Sequence, residues 1–224
     1  MNYIYTEKPI EQAADHIANT ISEHLSNGER VLWLLTGGSG IRIAVIVSEA
    51  LKKMDLSNLY ISLTDERYGL VGHKDENWQQ LIDAGFNPVG SNTYRPLIGQ
   101  DIEKTTTEFN DWLSNQFSQA NFKIGIFGIG ADGHTAGIKP NSDSGKSSEL
   151  AISFKCDDFE RVTINFKAIR LIDEAVVQAT GSNKRNILHE LMYENIPINN
   201  QPAQILKTIS KTTIYSNNKE EEIS

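Results

Sequence analysis

Cysteine occurs once in the 224 residues, at Cys156, so no intrachain disulfide framework is available and a reducing compartment is the simpler expectation. That thiol sits in no redox or metal motif and is expected to be inert. Long apolar runs are missing as well. The amino end from Met1 to Glu7 lacks a basic start followed by an apolar stretch, and no later run approaches membrane-spanning length. A cytoplasmic protein with no membrane partner is the expectation. Net positive charge is also absent: 21 Lys and Arg face 29 Asp and Glu, a formal charge of −8. This argues against a general nucleic-acid surface and requires any anionic ligand to find a local basic pocket. No internal repeat or linker-like stretch divides the chain, so one domain over 1–224 is expected, long enough to bury a substantial core.

What is present is alternation. Ile10, Ala13, Ala14, Ile17, Ile21 and Leu25 recur at helical spacing, with Gly28 placed to end the helix. Val31 to Leu35 reads as a buried strand, closed by Thr36-Gly-Gly-Ser-Gly40 and followed by an apolar helix from Ile41 to Leu51. Leu59 to Leu63 gives a second strand, Glu76 to Ala84 a short helix, and Ile102, Phe109, Leu113 and Phe117 one face of a longer one. Lys123 to Phe127 is a third strand. Asn141 to Lys146 is loop by composition, and apolar alternation returns around Leu150 to Phe154. Arg161 to Phe166 and Ala175 to Ala179 then read as strands, Ile187 to Met192 as a helix and Thr212 to Tyr215 as a last strand. The polar segment 217–224 is expected to fray. Strands alternating with helices predict an α/β fold, a mostly parallel sheet flanked by helices on both faces, with several loops delivered to one edge.

Three of those loops carry unusual residues. At Thr36-Gly-Gly-Ser39 a strand turns into a helix, where glycine admits a ligand to backbone N–H groups and the helix amino end favours an anion such as phosphate. A tight turn that merely needs glycine is the equal alternative. Asp65-Glu-Arg67 puts two carboxylates and a guanidinium at a strand end, either as a structural ion-pair network or with Arg67 binding a carbonyl or phosphate oxygen. His73 with Asp75 and Glu76 has no second histidine or cysteine nearby, so a solvated loop is preferred to a metal site. The third loop, Gly128-Ile-Gly-Ala-Asp-Gly-His-Thr-Ala136, delivers a lone imidazole from a glycine-rich strand end. His134 suits a general base there, with Asp132 a candidate to fix its tautomer. Arg161 and Lys184, at predicted element starts, are candidate anion-pocket cations or plain surface charges.

In this order and spacing the motifs Thr36-Gly-Gly-Ser39, Asp65-Glu-Arg67 and Gly128-x-Gly-x-Asp-Gly-His-Thr-Ala136 resemble the 6-phosphogluconolactonase family, with weaker agreement at Arg161-Val-Thr163 and Gly181-x-x-Lys184. The related glucosamine-6-phosphate deaminases typically follow Asp-Gly-His with Ile-Ala-Phe-Asn-Glu-Pro and carry Asp-Glu-Tyr at the earlier strand end. The chain departs from the lactonase pattern at four places. Gly40-Ile41 stands for the usual Thr-Pro, and Gly137-Ile-Lys-Pro140 for Ser-Leu-Phe-Pro. A Val-Pro after Arg67 is missing, and Glu76 replaces a serine before Asn77. The resemblance implies a Rossmann-like fold and hydrolysis of 6-phospho-D-glucono-1,5-lactone to 6-phosphogluconate, in the oxidative pentose phosphate pathway, without metal or organic cofactor. It implies His134, Asp132, Asp65 and Arg67 as catalytic groups, the division between the two aspartates open, and Gly37, Gly38, Ser39, Arg161 and Lys184 as phosphate-binding groups. An amino-sugar phosphate deaminase or isomerase, or a non-catalytic sugar-phosphate sensor, remains the alternative. A sensor usually needs an output domain, for which no spare segment is expected.

Overall fold

The computed structural model describes residues 1–143, 147–155 and 159–223; Cys156 and part of the polar loop at 141–146 lie outside them. Along the chain the first elements are β1 (Asn2–Tyr5), α1 (Pro9–Ser26), β2 (Val31–Leu35), α2 (Gly40–Leu51), β3 (Leu59–Leu63), β4 (Asp65–Arg67), α3 (Asn77–Asp83) and β5 (Asn92–Thr93). There follow α4 (Ile102–Gln119), β6 (Phe122–Gly128), β7 (Ala151–Lys155), β8 (Glu160–Ile164), α5 (Phe166–Arg170), β9 (Glu174–Gln178), α6 (Arg185–Tyr193) and β10 (Lys211–Ser216).

All five residues of β2 are buried, and their alternation explains the architecture. Val31, Trp33 and Leu35 enter a core shared with Ala14 and Ile17 of α1 and Ile43 and Val47 of α2. Leu32 and Leu34 enter the opposite core, with Phe109 and Leu113 of α4 and Leu188 and Leu191 of α6. Successive strand residues point to opposite faces, so a strand apolar at every position is stable only between two helical layers. Each side chain so buried contributes about 1.5–3 kcal/mol relative to exposure.

The main sheet runs β1-β10-β9-β6-β2-β3-β5, with every neighbouring pair parallel. From β2 the chain first builds outward through β3 and β5, then returns to place β6 on the other side of β2. The two loops leaving the carboxyl ends of β2 and β6 therefore diverge and open a crevice at the switch point, the place where open α/β sheets bind ligands.

A second sheet, β4-β8-β7, is antiparallel. Asp65-Glu-Arg67, expected as a loop, is its edge strand, pairing Asp65 with Thr163 and Arg67 with Arg161. The strand expected over Arg161–Phe166 belongs to this small sheet and stops at Ile164, because Asn165 caps α5 by accepting from the Lys167 and Ala168 amides at 2.8 and 3.2 Å. The edge strands β1 and β5 carry no alternation long enough to announce them. Past β10, where composition predicts fraying, Asn218 and Ile223 are buried and Asn218 Nδ2 donates to the Gly181 carbonyl at 3.0 Å. Ile223 is the apolar anchor within that charged stretch; Ser224 lies outside the described residues. Among the described residues no helix is long and apolar enough to cross a membrane.

Candidate active site

A cleft of about 390 Å³ opens at the switch point, and Gly37, Gly38, Ser39, Asp65, Arg67, His134, Arg161 and Lys184 all line it. Of the catalytic and phosphate-binding groups that the resemblance implies, only Asp132 stands outside the lining, where it bonds to His134. Thr36, Asn77, Ala136 and Lys139 join the wall without having been expected there. A larger groove of about 620 Å³ along α2 and α3 is lined by Ile41, Val45 and Ile46 with Arg42 as its charged group, and lacks convergent polar groups.

The loop after β2 must be glycine because α3 presses on it. A Cβ on Gly37 would sit 2.1 Å from Asn77 Oδ1, well inside van der Waals contact. Asn77 is itself fixed by donating from Nδ2 to the Asp65 carbonyl at 2.9 Å, while its Oδ1 is buried with no donor among the described residues. The amides of Gly38 and Ser39 then precede the amino end of α2, a favourable setting for an anion.

After β6 the chain folds back on itself: the Gly130 amide donates to the His134 carbonyl at 2.8 Å, and the Gly133 amide to Gly130 at 3.0 Å. This turn brings Asp132 Oδ1 to 2.5 Å from His134 Nδ1 and 3.2 Å from the His134 amide. A neutral imidazole beside a carboxylate carries its proton on the nitrogen that faces it, so Nδ1–H donates to Asp132 and Nε2 is the basic nitrogen. Burial lowers the His134 pKa, with Lys139 acting in the same direction and Asp132 opposing. Burial would raise the Asp132 carboxyl, but the His134 amide, the imidazole and Lys139 together hold it at about 2. At neutral pH the pair is thus a neutral base oriented by an ionised carboxylate. Asp65 does something else: it lies 3.5 Å from Arg161 Nη1 and accepts from Thr64 Oγ1 at 3.2 Å.

The opposite wall is cationic. Arg67 and Arg161 are direct cross-strand partners, and their guanidinium carbons lie 5.6 and 5.7 Å from the Phe159 ring centroid. Like charges directly opposed on an antiparallel pair destabilise it, so this arrangement favours a bound anion. Arg67 Nη1 donates to the Asp75 carbonyl at 3.1 Å, whereas its Nε is buried without a partner among the described residues. Lys184, at the end of a 3-10 turn before α6, donates to the Ile129 carbonyl at 2.7 Å, and burial lowers its pKa. A chain of charge −8 thereby gathers four cations, Lys139 included, around one cleft.

Two buried carboxylates support that wall. Glu76 takes a two-point pair from Arg95, at 2.6 and 2.7 Å, and accepts from the Gly72 amide at 2.5 Å, so it ties loop 68–76 down rather than binding metal with His73. His73 instead donates to the Arg67 carbonyl at 3.0 Å. Among the described residues no three His, Cys, Asp or Glu side chains converge as metal ligands. Glu66 accepts from the amides of Arg67 and Asn77 at 2.7 Å and of Trp78 at 3.0 Å. Its burial pushes the carboxyl from 4.5 up to about 8 against those bonds. A carboxyl with a raised folded-state pKa keeps a proton that the unfolded chain releases, so stability is full below about 4.5 and falls as pH rises towards about 8. Denaturant midpoints taken across that range should fall in the wild type and fall less steeply in Glu66→Gln; parallel slopes would contradict the assignment.

Comparison with known proteins follows the same lines. A family model described as glucosamine-6-phosphate isomerases/6-phosphogluconolactonase matches residues 6–215. The 6-phosphogluconolactonase of Helicobacter pylori strain J99 is 28% identical over 189 residues, covering 80% of this chain and 82% of its own. The crystal structure of 6-phosphogluconolactonase from Thermotoga maritima superposes with a TM-score of 0.81 at 20% identity, over 96% of this chain and 97% of that one. A monomeric glucosamine-6-phosphate deaminase reaches the same TM-score of 0.81 at 18% identity, covering 100% of both chains. The fold is common to both activities, and the choice between them rests on the cleft.

Proposed function

Since the chain belongs to the glucosamine-6-phosphate isomerase/6-phosphogluconolactonase family, we propose that it hydrolyses 6-phospho-D-glucono-1,5-lactone to 6-phosphogluconate in the cytoplasm, with His134 as general base. The observation that carries this reading is the Asp132–His134 pair, 2.5 Å apart, in the same cleft as Arg67. An ester carbonyl needs a base to activate water and a cation or N–H group to receive the developing oxyanion, and both are present. The deaminase pattern carries tyrosine where this chain has Arg67, and lacks the Thr135-Ala136 that follows the histidine here.

In the proposed reaction the substrate phosphate lies on Gly37, Gly38 and Ser39 at the amino end of α2, with Arg161 and Lys184 supplying charge. His134 Nε2 takes a proton from water as its oxygen bonds to C1. The carbonyl π electrons move onto the carbonyl oxygen, which Arg67 or a loop amide stabilises, an effect worth about 3 kcal/mol per well-aimed donor. As that oxyanion collapses, the bond from C1 to the ring oxygen breaks and the imidazolium returns its proton to the departing oxygen. Asp132 keeps the imidazole in the required tautomer throughout, while Asp65 orients Arg161. The unsatisfied Asn77 Oδ1 offers an acceptor for a sugar hydroxyl.

The test follows disappearance of the enzymatically generated phosphorylated lactone with and without protein, beside an unphosphorylated lactone. Selective acceleration of the phosphorylated compound is expected. Ammonia release from glucosamine 6-phosphate would replace this reading with deamination, and a saturable thermal shift with sugar phosphates but no turnover of either would replace it with a sensor.

A further inference from the structure

We infer that Lys139 is a positioning residue for the base: it grips one oxygen of Asp132 while His134 holds the other, and sets its positive charge directly beside the imidazole. The inference rests on the lactonase reading for its kinetic consequences, but not for its geometry. Lys139 Nζ lies 3.2 Å from Asp132 Oδ2, while the His134 ring and amide both address Oδ1. The carboxylate is therefore bridged, each oxygen committed to a different group, and cannot rotate away from the imidazole without giving up an ion pair.

The 3.5 Å separation of Lys139 Nζ from His134 Nδ1 has the opposite character. Nδ1 already donates its proton to Asp132 and an ammonium has no lone pair, so two donors face one another. Their interaction is repulsive once the imidazole is charged. Lysine side chains are normally solvated, yet this one is only 31% exposed and lines the cleft. The fold places it there. Thr135 bridges to both Ile129 and Ile138, and the Gly137 amide donates to Thr163 Oγ1 at 2.9 Å. Ala136 adopts φ 48°, a left-handed conformation unusual for a residue with a side chain. The turn thus bends the chain back so that Lys139 meets Asp132.

Other charges face His134 as well. Asp65 at the head of β4 raises its proton affinity, Lys184 approaches from the start of α6, and Arg67 and Arg161 occupy the far wall. Behind the loop, the neutral Gln201 is the near neighbour of Gly133, and Glu190 is bonded to that glutamine at 2.5 Å. None of these replaces Lys139, which alone among the described cations touches both members of the pair.

The deciding experiment is an NMR titration of the His134 imidazole in the full chain, comparing wild type with Lys139→Met and Lys139→Arg, alongside the pH dependence of kcat/KM. Removing the cation should move the His134 titration to higher pH, and the arginine variant should keep it near the wild-type position. Lactone hydrolysis by Lys139→Met should then fall more steeply on the acid side of the kcat/KM profile than on the alkaline side, the acid limb moving together with the His134 titration. An unmoved His134 titration would overturn the inference, as would a rise in KM with an unaltered pH profile, which would make Lys139 a substrate contact instead. A protein that titrates as expected but hydrolyses no lactone would refute the proposed activity and leave the positioning role standing.

Discussion

Replacing His134 by alanine is expected to lower lactone hydrolysis by about two to four orders of magnitude, the usual contribution of a general base, while 6-phosphogluconate still binds. The imidazole is 34% exposed and borders the cleft, so its removal takes away no core contact. The loop also keeps the backbone bonds from Gly130 to His134 and from Gly133 to Gly130. The phosphate contacts proposed at Gly37–Ser39, Arg161 and Lys184 lie on other elements and are untouched. Rates must be corrected for spontaneous hydrolysis, and binding read by calorimetry. Near-wild-type turnover in the variant would remove His134 from the role of base, whereas joint loss of binding and turnover would point to a loop that depends on the side chain for its shape.

Adding one methyl group nearby should be almost as damaging. A Cβ on Gly130 would fall 2.0 Å from His134 Nδ1 and 2.3 Å from Asp132 Oδ1. Neither atom can stay where it is, so Gly130→Ala displaces the base and its orienting carboxylate together without altering either residue. A displacement of about 1 Å in a reacting group costs on the order of a hundredfold in rate. We expect that loss in kcat, a smaller change in KM, and a nearly unchanged thermal midpoint, because the affected atoms border the cleft and not the two cores. Wild-type kcat in Gly130→Ala would show that the Asp132–His134 contact does not limit the reaction.

The parts of this molecule visible in the sequence are those where one physical demand acts alone. Val31–Leu35 reads as a buried strand because every residue meets a helical layer, and His134 stands out because glycines and a strand end surround it. The small antiparallel sheet escapes such reading, since Asp65-Glu-Arg67 is charged throughout and is a strand only by virtue of its pairing with residues almost a hundred positions away. The same holds for the two aspartates. Both follow strands, and only in space does Asp132 meet His134 while Asp65 meets Arg161. Gly137-Ile-Lys-Pro140 stands out as a departure, but the parts played by Lys139 and Asn77 do not show in the sequence: one depends on the turn that brings Lys139 to Asp132, the other on the approach of Asn77 to Gly37.

The division of the cleft between two sheets has a bearing on inheritance. The glycine turn and the histidine loop hang from β2 and β6 of the parallel sheet, whereas Arg67 and Arg161 are carried by β4 and β8 of the antiparallel one. Drift in the loop after β6 can therefore alter the proposed proton-transfer chemistry without disturbing the pairing of β4 with β8 that presents Arg161. A change in the loops of one sheet leaves the contribution of the other in place, a separation that fits a family whose description joins isomerases with lactonases.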